Sequence, residues 1–176
     1  MSLKGEKIVL FGGTFDPWTS AHQEIAETLS RLYDKVLIIP TAIRYYKGNT
    51  QMFSFEERIK DARAHVSSLL NVKVLDLERN IDENWRFVHT LQAVHGMYGD
   101  NNEYYTAIGS DSLQKFTTWF EWERILQLSK LVVFNRPDYT EGFPEIPYEY
   151  LPMNNPVSST QLREERLSGQ AGNDTV

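Results

Sequence analysis

The chain contains no cysteine. Disulfides, thiolate catalysis and zinc–thiolate sites are thereby excluded. Positive charge is not in excess: 18 Lys and Arg stand against 24 Asp and Glu, a formal net charge of −6. A nonspecific grip on nucleic acid needs a broad basic field, so no nucleic-acid partner is expected. No stretch approaches the ~20 apolar residues of a membrane-spanning helix. Met1 to Lys7 is charged and lacks the apolar centre of a signal peptide. The expectation is a soluble, cytoplasmic protein with no membrane partner. Two familiar phosphate loops are missing as well, since neither G-x-G-x-x-G nor G-x-x-x-x-G-K-[ST] occurs.

What is present supports a real core. Apolar residues make up 41% of the 176 residues, enough for one domain over residues 1–176. Its core is expected at about 7–166, with a frayed polar tail at 167–176. Five short apolar runs read as strands: Ile8 to Phe11, Val36 to Pro40, Val72 to Leu77, Tyr104 to Gly109 and Leu131 to Arg136. Most are continuous rather than alternating, as in strands buried on both faces of a parallel sheet. Helical patterns lie between them. Ile25, Leu29 and Leu32 are spaced i, i+4, i+7, and Phe87, Leu91 and Val94 repeat that spacing. Ser54 followed by Glu57 reads as a capping box. The segment "YEYLP" suggests a short strand, and "PVSSTQLREERL" a capped helix near the C-terminus. The expected fold is α/β: a Rossmann-like parallel sheet with helices on both faces and a short C-terminal helical segment. Ligands in such sheets sit beyond the carboxyl ends of the strands.

One stretch there carries chemistry. "LFGGTFDPWTSAH" runs from a strand through Gly12-Gly13-Thr14-Phe15, turns at Asp16-Pro17 and enters a helix near Ser20. Glycines let the backbone approach a ligand and present N–H groups to it, and the helix adds the positive end of its dipole. A tight strand-to-helix turn would need the same glycines. His22 lies in the first helical turn and Thr19 three residues before it, so both could donate to a phosphate. A lone histidine is more often a core or surface residue. The other histidines look ordinary: His89 and His95 do not share a helix face, and His65 is isolated.

"GGTFDPWTSAH" resembles the signature of the nucleotidyltransferase superfamily that makes dinucleotide cofactors, G-[ST]-F-D-P followed by H-x-G-H or T-x-G-H. Four further stretches keep the family's order: "IIPTAIRYYKG" with "FSFEERIKDA", "AIGSDSLQKFTTWFEWERIL", "LVVFNRP" and "VSSTQLRE". Within the superfamily they look most like nicotinate-nucleotide (or nicotinamide-nucleotide) adenylyltransferases. The resemblance implies adenylyl transfer from ATP to nicotinate mononucleotide in NAD biosynthesis. Nicotinamide mononucleotide, pantetheine phosphate or a nucleotide-binding paralogue without turnover are the alternatives.

It also implies roles for individual residues. His22, Thr19, Lys47 and Arg163 would stabilise the phosphoryl charge. Gly12, Gly13, Thr14, Phe15, Gly109, Asp111, Ser158, Ser159 and Thr160 would hold ATP. Thr90, Trp119, Arg86 and Arg136 would hold the acceptor, with Trp119 stacked on its pyridine ring. Asp111 with Ser110 could equally be a helix cap, Arg163 a solvent arginine and Trp119 plain packing. Adenylyl transfer needs positioning and charge stabilisation rather than a general base. No carboxylate cluster suggests a metal cage, so Mg²⁺ is expected to arrive with ATP. The sequence departs from the family pattern in three places. "TSAH" replaces the first histidine and the glycine with Thr19 and Ala21. "WRFVHT" puts Phe87 and His89 where a threonine and an aspartate are usual. "RYYK" keeps only the lysine, Lys47.

Overall fold

The computed structural model describes residues 5–42 and 52–151. Six strands form one parallel sheet: β1 (Lys7–Gly13), β2 (Lys35–Pro40), β3 (Val72–Val74), β4 (Glu103–Gly109), β5 (Lys130–Phe134) and β6 (Glu149–Leu151). Their order across the sheet is β3-β2-β1-β4-β5-β6, with every pair parallel. The helices are α1 (Ser20–Leu32), α2 (Phe55–Val66), α3 (Phe87–Tyr98), α4 (Ser110–Lys115) and α5 (Trp122–Leu128).

The continuous apolar strands behave as a doubly covered sheet requires. Successive side chains point to opposite faces. Val9, Phe11, Val36, Ile38, Tyr105, Ala107, Val132 and Phe134 pack with Ile25, Ala26 and Leu29 of α1 and Ile59, Ala62 and Val66 of α2. Their neighbours Ile8, Leu10, Leu37, Ile39, Tyr104, Ile108, Leu131 and Val133 pack on the other face. They meet Val88, Leu91 and Val94 of α3, Leu113 of α4 and Ile125 of α5. Each such side chain contributes ~1.5–3 kcal/mol by leaving water, and both faces need it, which is why the runs do not alternate. Among the described residues no helix is long and apolar enough to cross a membrane.

Several boundaries differ from the expected ones. The third run forms a strand only over Val72–Val74; beyond it Leu75 N still donates to Ile38 O at 2.8 Å, and the chain then turns away. The last long run leaves the sheet after Phe134, because Arg136 N donates to the Ser110 hydroxyl at 2.8 Å instead of continuing the ladder. Leu32 is 57% exposed. Helix α1 ends there, and Tyr33 takes its place on the core, edge-on to Tyr105 at 4.9 Å. "YEYLP" does supply a strand, β6, and Ser54 does cap α2, its hydroxyl accepting from Glu57 N at 3.1 Å. The C-terminal helical segment and the tail lie outside the described residues.

The order of the strands reverses at β1. β2 and β3 lie to one side of it, β4 to β6 to the other. The crevice beyond the carboxyl ends of β1 and β4 is therefore the switch point where a ligand is expected in such a sheet. Gly12 to Phe15 close β1 and Gly109 closes β4, so the two glycine-bearing turns face the same crevice.

Candidate active site

The turn after β1 is built from inside. Phe15 takes a left-handed backbone conformation (φ 51°), which costs a bulky residue ~1–2 kcal/mol. Its buried ring offsets that cost: it meets Phe11 edge-on at 5.2 Å, His22 edge-on at 4.9 Å and Trp18 at 5.1 Å. Phe15 thus belongs to the ligand turn by its backbone and to the core by its side chain. Asp16, fully buried, accepts from Met52 N at 2.9 Å and Phe53 N at 2.8 Å, fastening the turn to the entry of α2.

His22 and Thr19 are joined by two hydrogen bonds. Thr19 N donates to His22 Nδ1 at 2.9 Å, and His22 N donates to Thr19 Oγ1 at 3.2 Å. With Nδ1 accepting, the ring proton sits on Nε2. Three aromatic rings, Phe11, Phe15 and Trp18, surround the imidazole. That burial, and secondarily the positive charge of Arg136, lowers its pKa from 6.5 to about 3. His22 is consequently a neutral donor at physiological pH, not a cation. Ala21 beside it is buried.

On the β4 side, the Ser110 hydroxyl both accepts from Arg136 N at 2.8 Å and lies 3.4 Å from Arg136 O. The expected cap role of Ser110 and Asp111 is not what they do: Gly109 is the N-cap of α4 and no side chain caps it. A Cβ at Gly109 would lie 2.4 Å from Asp111 Oδ1, 3.0 Å from the Phe134 ring and 3.2 Å from Arg136 Nε. A methyl there would force the Asp111 side chain to shift. Arg136 Nε is 3.9 Å from Asp111 Oδ1; it is buried with no hydrogen-bond partner among the described residues. A buried donor without a partner is costly and suits a site that an anion completes. At Gly12 a Cβ would lie 3.6 Å from Ile39 O, an ordinary contact, so among the described residues it is far less crowded than Gly109.

The residues expected to hold an acceptor fall into two groups. Arg136 stands with Asp111 at the ends of β4 and β5, where its charge reaches His22. Arg86, Thr90 and Trp119 gather at the first turn of α3. Trp119 lies beyond α4, half-buried, 5.1 Å from Phe116 and edge-on to Phe87 at 5.7 Å. Trp122 also reaches Phe116, at 6.4 Å, so the two tryptophans share one core layer despite their spacing. Phe120 and Trp85 flank His89 at 5.9 and 5.6 Å. The Arg86 guanidinium donates to the carbonyls of Glu83 and Trp85. The Thr90 hydroxyl is already engaged, accepting from Trp85 Nε1 at 2.8 Å and donating to Glu78 Oε2 at 3.3 Å. His65, read as isolated, stacks on Trp18 at 6.0 Å. Lys47, Ser158, Ser159, Thr160 and Arg163 lie outside the described residues.

Two residues that organise the site, Arg58 and Glu78, were not found from the sequence, and Asp16 and Ser110 were read only as a turn and a cap. Arg58 is buried and donates through Nη1 to Thr14 O at 2.7 Å and Thr41 O at 2.8 Å. Its signal was available, because it precedes Ile59 and lies four residues before Ala62, on the core face of α2. Glu78 had none, since it lies in an irregular loop. Among the described residues no group of three or more His, Asp or Glu could hold a metal.

Two glycine turns, a neutral histidine donor and an incompletely satisfied arginine therefore converge at one switch point, a set suited to phosphate oxygens. The cytidylyltransferase-like family model matches residues 10–165. A protein of Fusobacterium nucleatum subsp. nucleatum named "Probable nicotinate-nucleotide adenylyltransferase" is 31% identical over 170 residues, 90% of this chain and 86% of the relative. One of the same name from Maridesulfovibrio salexigens is 34% identical over 151 residues, 80% and 69%. In three dimensions the nicotinic acid mononucleotide adenylyltransferase of Plasmodium falciparum, solved with NaAD, has a TM-score of 0.72 at 20% identity. The match covers 90% of this chain and 83% of that one and supports the fold. The chain belongs to the cytidylyltransferase-like nucleotidyltransferases and, within them, to the family of the nicotinate-nucleotide adenylyltransferases.

Proposed function

We propose that the chain transfers the adenylyl group of ATP to the 5′-phosphate of nicotinate mononucleotide, in the synthesis of NAD in the cytoplasm. A phosphate oxygen of the acceptor attacks the α-phosphorus of ATP. The new P–O bond gives the deamido dinucleotide, and the bond from the α-phosphorus to the oxygen it shares with the β-phosphorus breaks, that oxygen leaving with pyrophosphate. The observation that carries this reading is the pair of hydrogen bonds with Thr19 that fixes His22 Nε2–H as a donor at the switch point.

Both reacting groups are anionic, so the site must hold them together and stabilise charge on the phosphoryl oxygens. His22 Nε2 and the Thr19 hydroxyl donate to the ATP phosphates, with Gly12, Gly13, Thr14 and Phe15 lining the turn. A neutral imidazole keeps its proton throughout, in line with a reaction that needs no general base. Gly109 lets Asp111 and Arg136 close in on the end of β4, and Gly109 and Asp111 line the nucleotide. Arg136 answers a phosphate with its Nε–H, which has no hydrogen-bond partner among the described residues. Lys47, Arg163, Ser158, Ser159 and Thr160 add cations and donors to the same oxygens. Mg²⁺ enters as part of the MgATP substrate. Trp119 offers a ring face to the pyridine, Arg86 a positive charge near it, and Thr90 holds the first turn of α3 in place.

The test is pyrophosphate release with ATP, Mg²⁺ and, in turn, nicotinate mononucleotide, nicotinamide mononucleotide and pantetheine phosphate. The largest kcat/KM is expected with nicotinate mononucleotide. No release with any of them would overturn the proposal.

A further inference from the structure

A buried cation and a buried anion hold the same peptide group. Arg58 Nη1 donates to Thr41 O at 2.8 Å, and Ala42 N donates to Glu78 Oε1 at 3.2 Å. Thr41 O and Ala42 N belong to one amide. That amide leaves β2 directly beside the phosphate turn, where Thr41 N donates to Gly13 O at 2.8 Å. The same Arg58 Nη1 donates to Thr14 O at 2.7 Å. From Glu78 the chain of contacts runs on through Oε2 to the Thr90 hydroxyl at 3.3 Å and from there to Trp85 Nε1 at 2.8 Å. Arg58 and Glu78 are 1% and 5% exposed. Each is anchored by main-chain groups as well as by the other's charge.

The parts so connected are the phosphate turn and the first turn of α3. They lie on opposite faces of the sheet, since α2 carries Arg58 on one face and α3 carries Thr90 on the other. The end of β2 links them, through Arg58, the Thr41–Ala42 amide and Glu78. A buried carboxylate is a costly choice for a merely structural tie. Burial pushes the Glu78 pKa up, against the two hydrogen bonds and the Arg58 charge, which pull it down. An apolar residue would fill the space without that cost, but it could not grip an N–H and a hydroxyl at a fixed spacing.

We propose that Glu78 is a positioning residue. Through the Thr41–Ala42 peptide and Thr90 it sets the distance between the phosphate turn and the first turn of α3, and so the fit of the acceptor mononucleotide. The role rests on the acceptor site proposed above. Glu78 touches neither substrate in this scheme.

Kinetics of the full chain with MgATP and nicotinate mononucleotide test it. Glu78→Ala is expected to raise the acceptor KM about tenfold while the ATP KM moves less than about twofold. Glu78→Gln can still accept from Ala42 and share a hydrogen bond with Thr90, so it is expected to restore most of the lost acceptor affinity. Thr90→Val breaks the same chain one link further on. Its effect on acceptor KM should not add to that of Glu78→Ala in a double-mutant cycle. Equal rises in both KM values, an unchanged acceptor KM, or additive effects would each overturn the proposal. If Glu78→Ala gives no folded protein, Glu78→Gln and Thr90→Val decide it, since Thr90→Val alone must show the same split. If the unmodified chain releases no pyrophosphate, the proposed reaction fails by itself. The calorimetric affinities of unmodified and Glu78→Ala protein for the mononucleotide and for MgATP then still read the split.

Discussion

His22 and Thr19 cap one another: the Thr19 N–H ends on His22 Nδ1 at 2.9 Å while the His22 N–H ends on the Thr19 hydroxyl at 3.2 Å. The arrangement fixes the tautomer and keeps Nε2–H as the donor. With a pKa of about 3, His22 titrates well below the working range. Between pH 5 and 8, kcat should therefore show no inflection from this group. His22→Ala should lower kcat by ~10²–10³, the usual effect of losing one aligned donor, with ATP affinity barely moved. Unchanged turnover would remove His22 from the site.

The same shift makes a stability prediction of opposite character. The unfolded histidine titrates near 6.5 and the folded one near 3. Between those values the unfolded chain binds the extra proton. Stability from His22 is thus complete above pH 6.5 and is lost as pH falls from there towards 3. Urea midpoints measured from pH 7 down to pH 4 should decline, and His22→Ala should decline less steeply. Parallel slopes would mean that the imidazole is not buried neutral.

Glycines 12 and 109 should respond differently to alanine. At Gly109 a methyl meets Asp111, Phe134 and Arg136 at 2.4 to 3.2 Å, so Gly109→Ala should cost ~1–3 kcal/mol of stability and weaken ATP binding by displacing Asp111. At Gly12 the nearest atom among the described residues is Ile39 O, 3.6 Å away. Gly12→Ala should lose less stability than Gly109→Ala and still bind ATP poorly. Denaturant midpoints and calorimetric ATP titrations of the two variants separate fold from site.

Much of this was legible in the sequence because the physics is local. Continuous apolar runs gave the parallel sheet, and two glycines before Thr19 and His22 marked the turn between β1 and α1. What the sequence hid was long-range. That Glu78 would grip Ala42, 36 residues away, follows from no spacing along the chain. His22 read as a donor, but nothing along the chain showed the three aromatic rings that keep it neutral. Trp119, expected either to stack on a ligand or to pack, lies before α5 and packs on Phe116 and Phe87. Leu32 fitted the core period and was lost to a helix end.

Asp16 should matter to folding before chemistry. It takes two main-chain donors, Met52 N and Phe53 N, and is fully buried. Asp16→Ala removes both acceptors, and each abandoned donor costs ~1–3 kcal/mol where water cannot replace it. A loss of ~2–4 kcal/mol is expected by urea denaturation, with Asp16→Asn intermediate because its amide oxygen can still accept. A loss under ~0.5 kcal/mol, the level of an ordinary surface change, would show that the turn holds without it.

Trp119 tests the acceptor end of the site. Its ring packs against Phe116 and Phe87 but is only half-buried, so part of it remains for a ligand. Aromatic stacking contributes ~0.5–1.5 kcal/mol beyond area burial, which corresponds to as much as about tenfold in affinity. Trp119→Ala should raise the KM of nicotinate mononucleotide by roughly that factor and leave the ATP KM near its original value. Some stability should go with it, because Phe87 loses its edge contact and the first turn of α3 loses support. Trp119→Phe keeps a stacking face and should recover most of the acceptor affinity. If both variants shift the two KM values together, or shift only the denaturation midpoint, Trp119 is packing and the pyridine ring binds elsewhere.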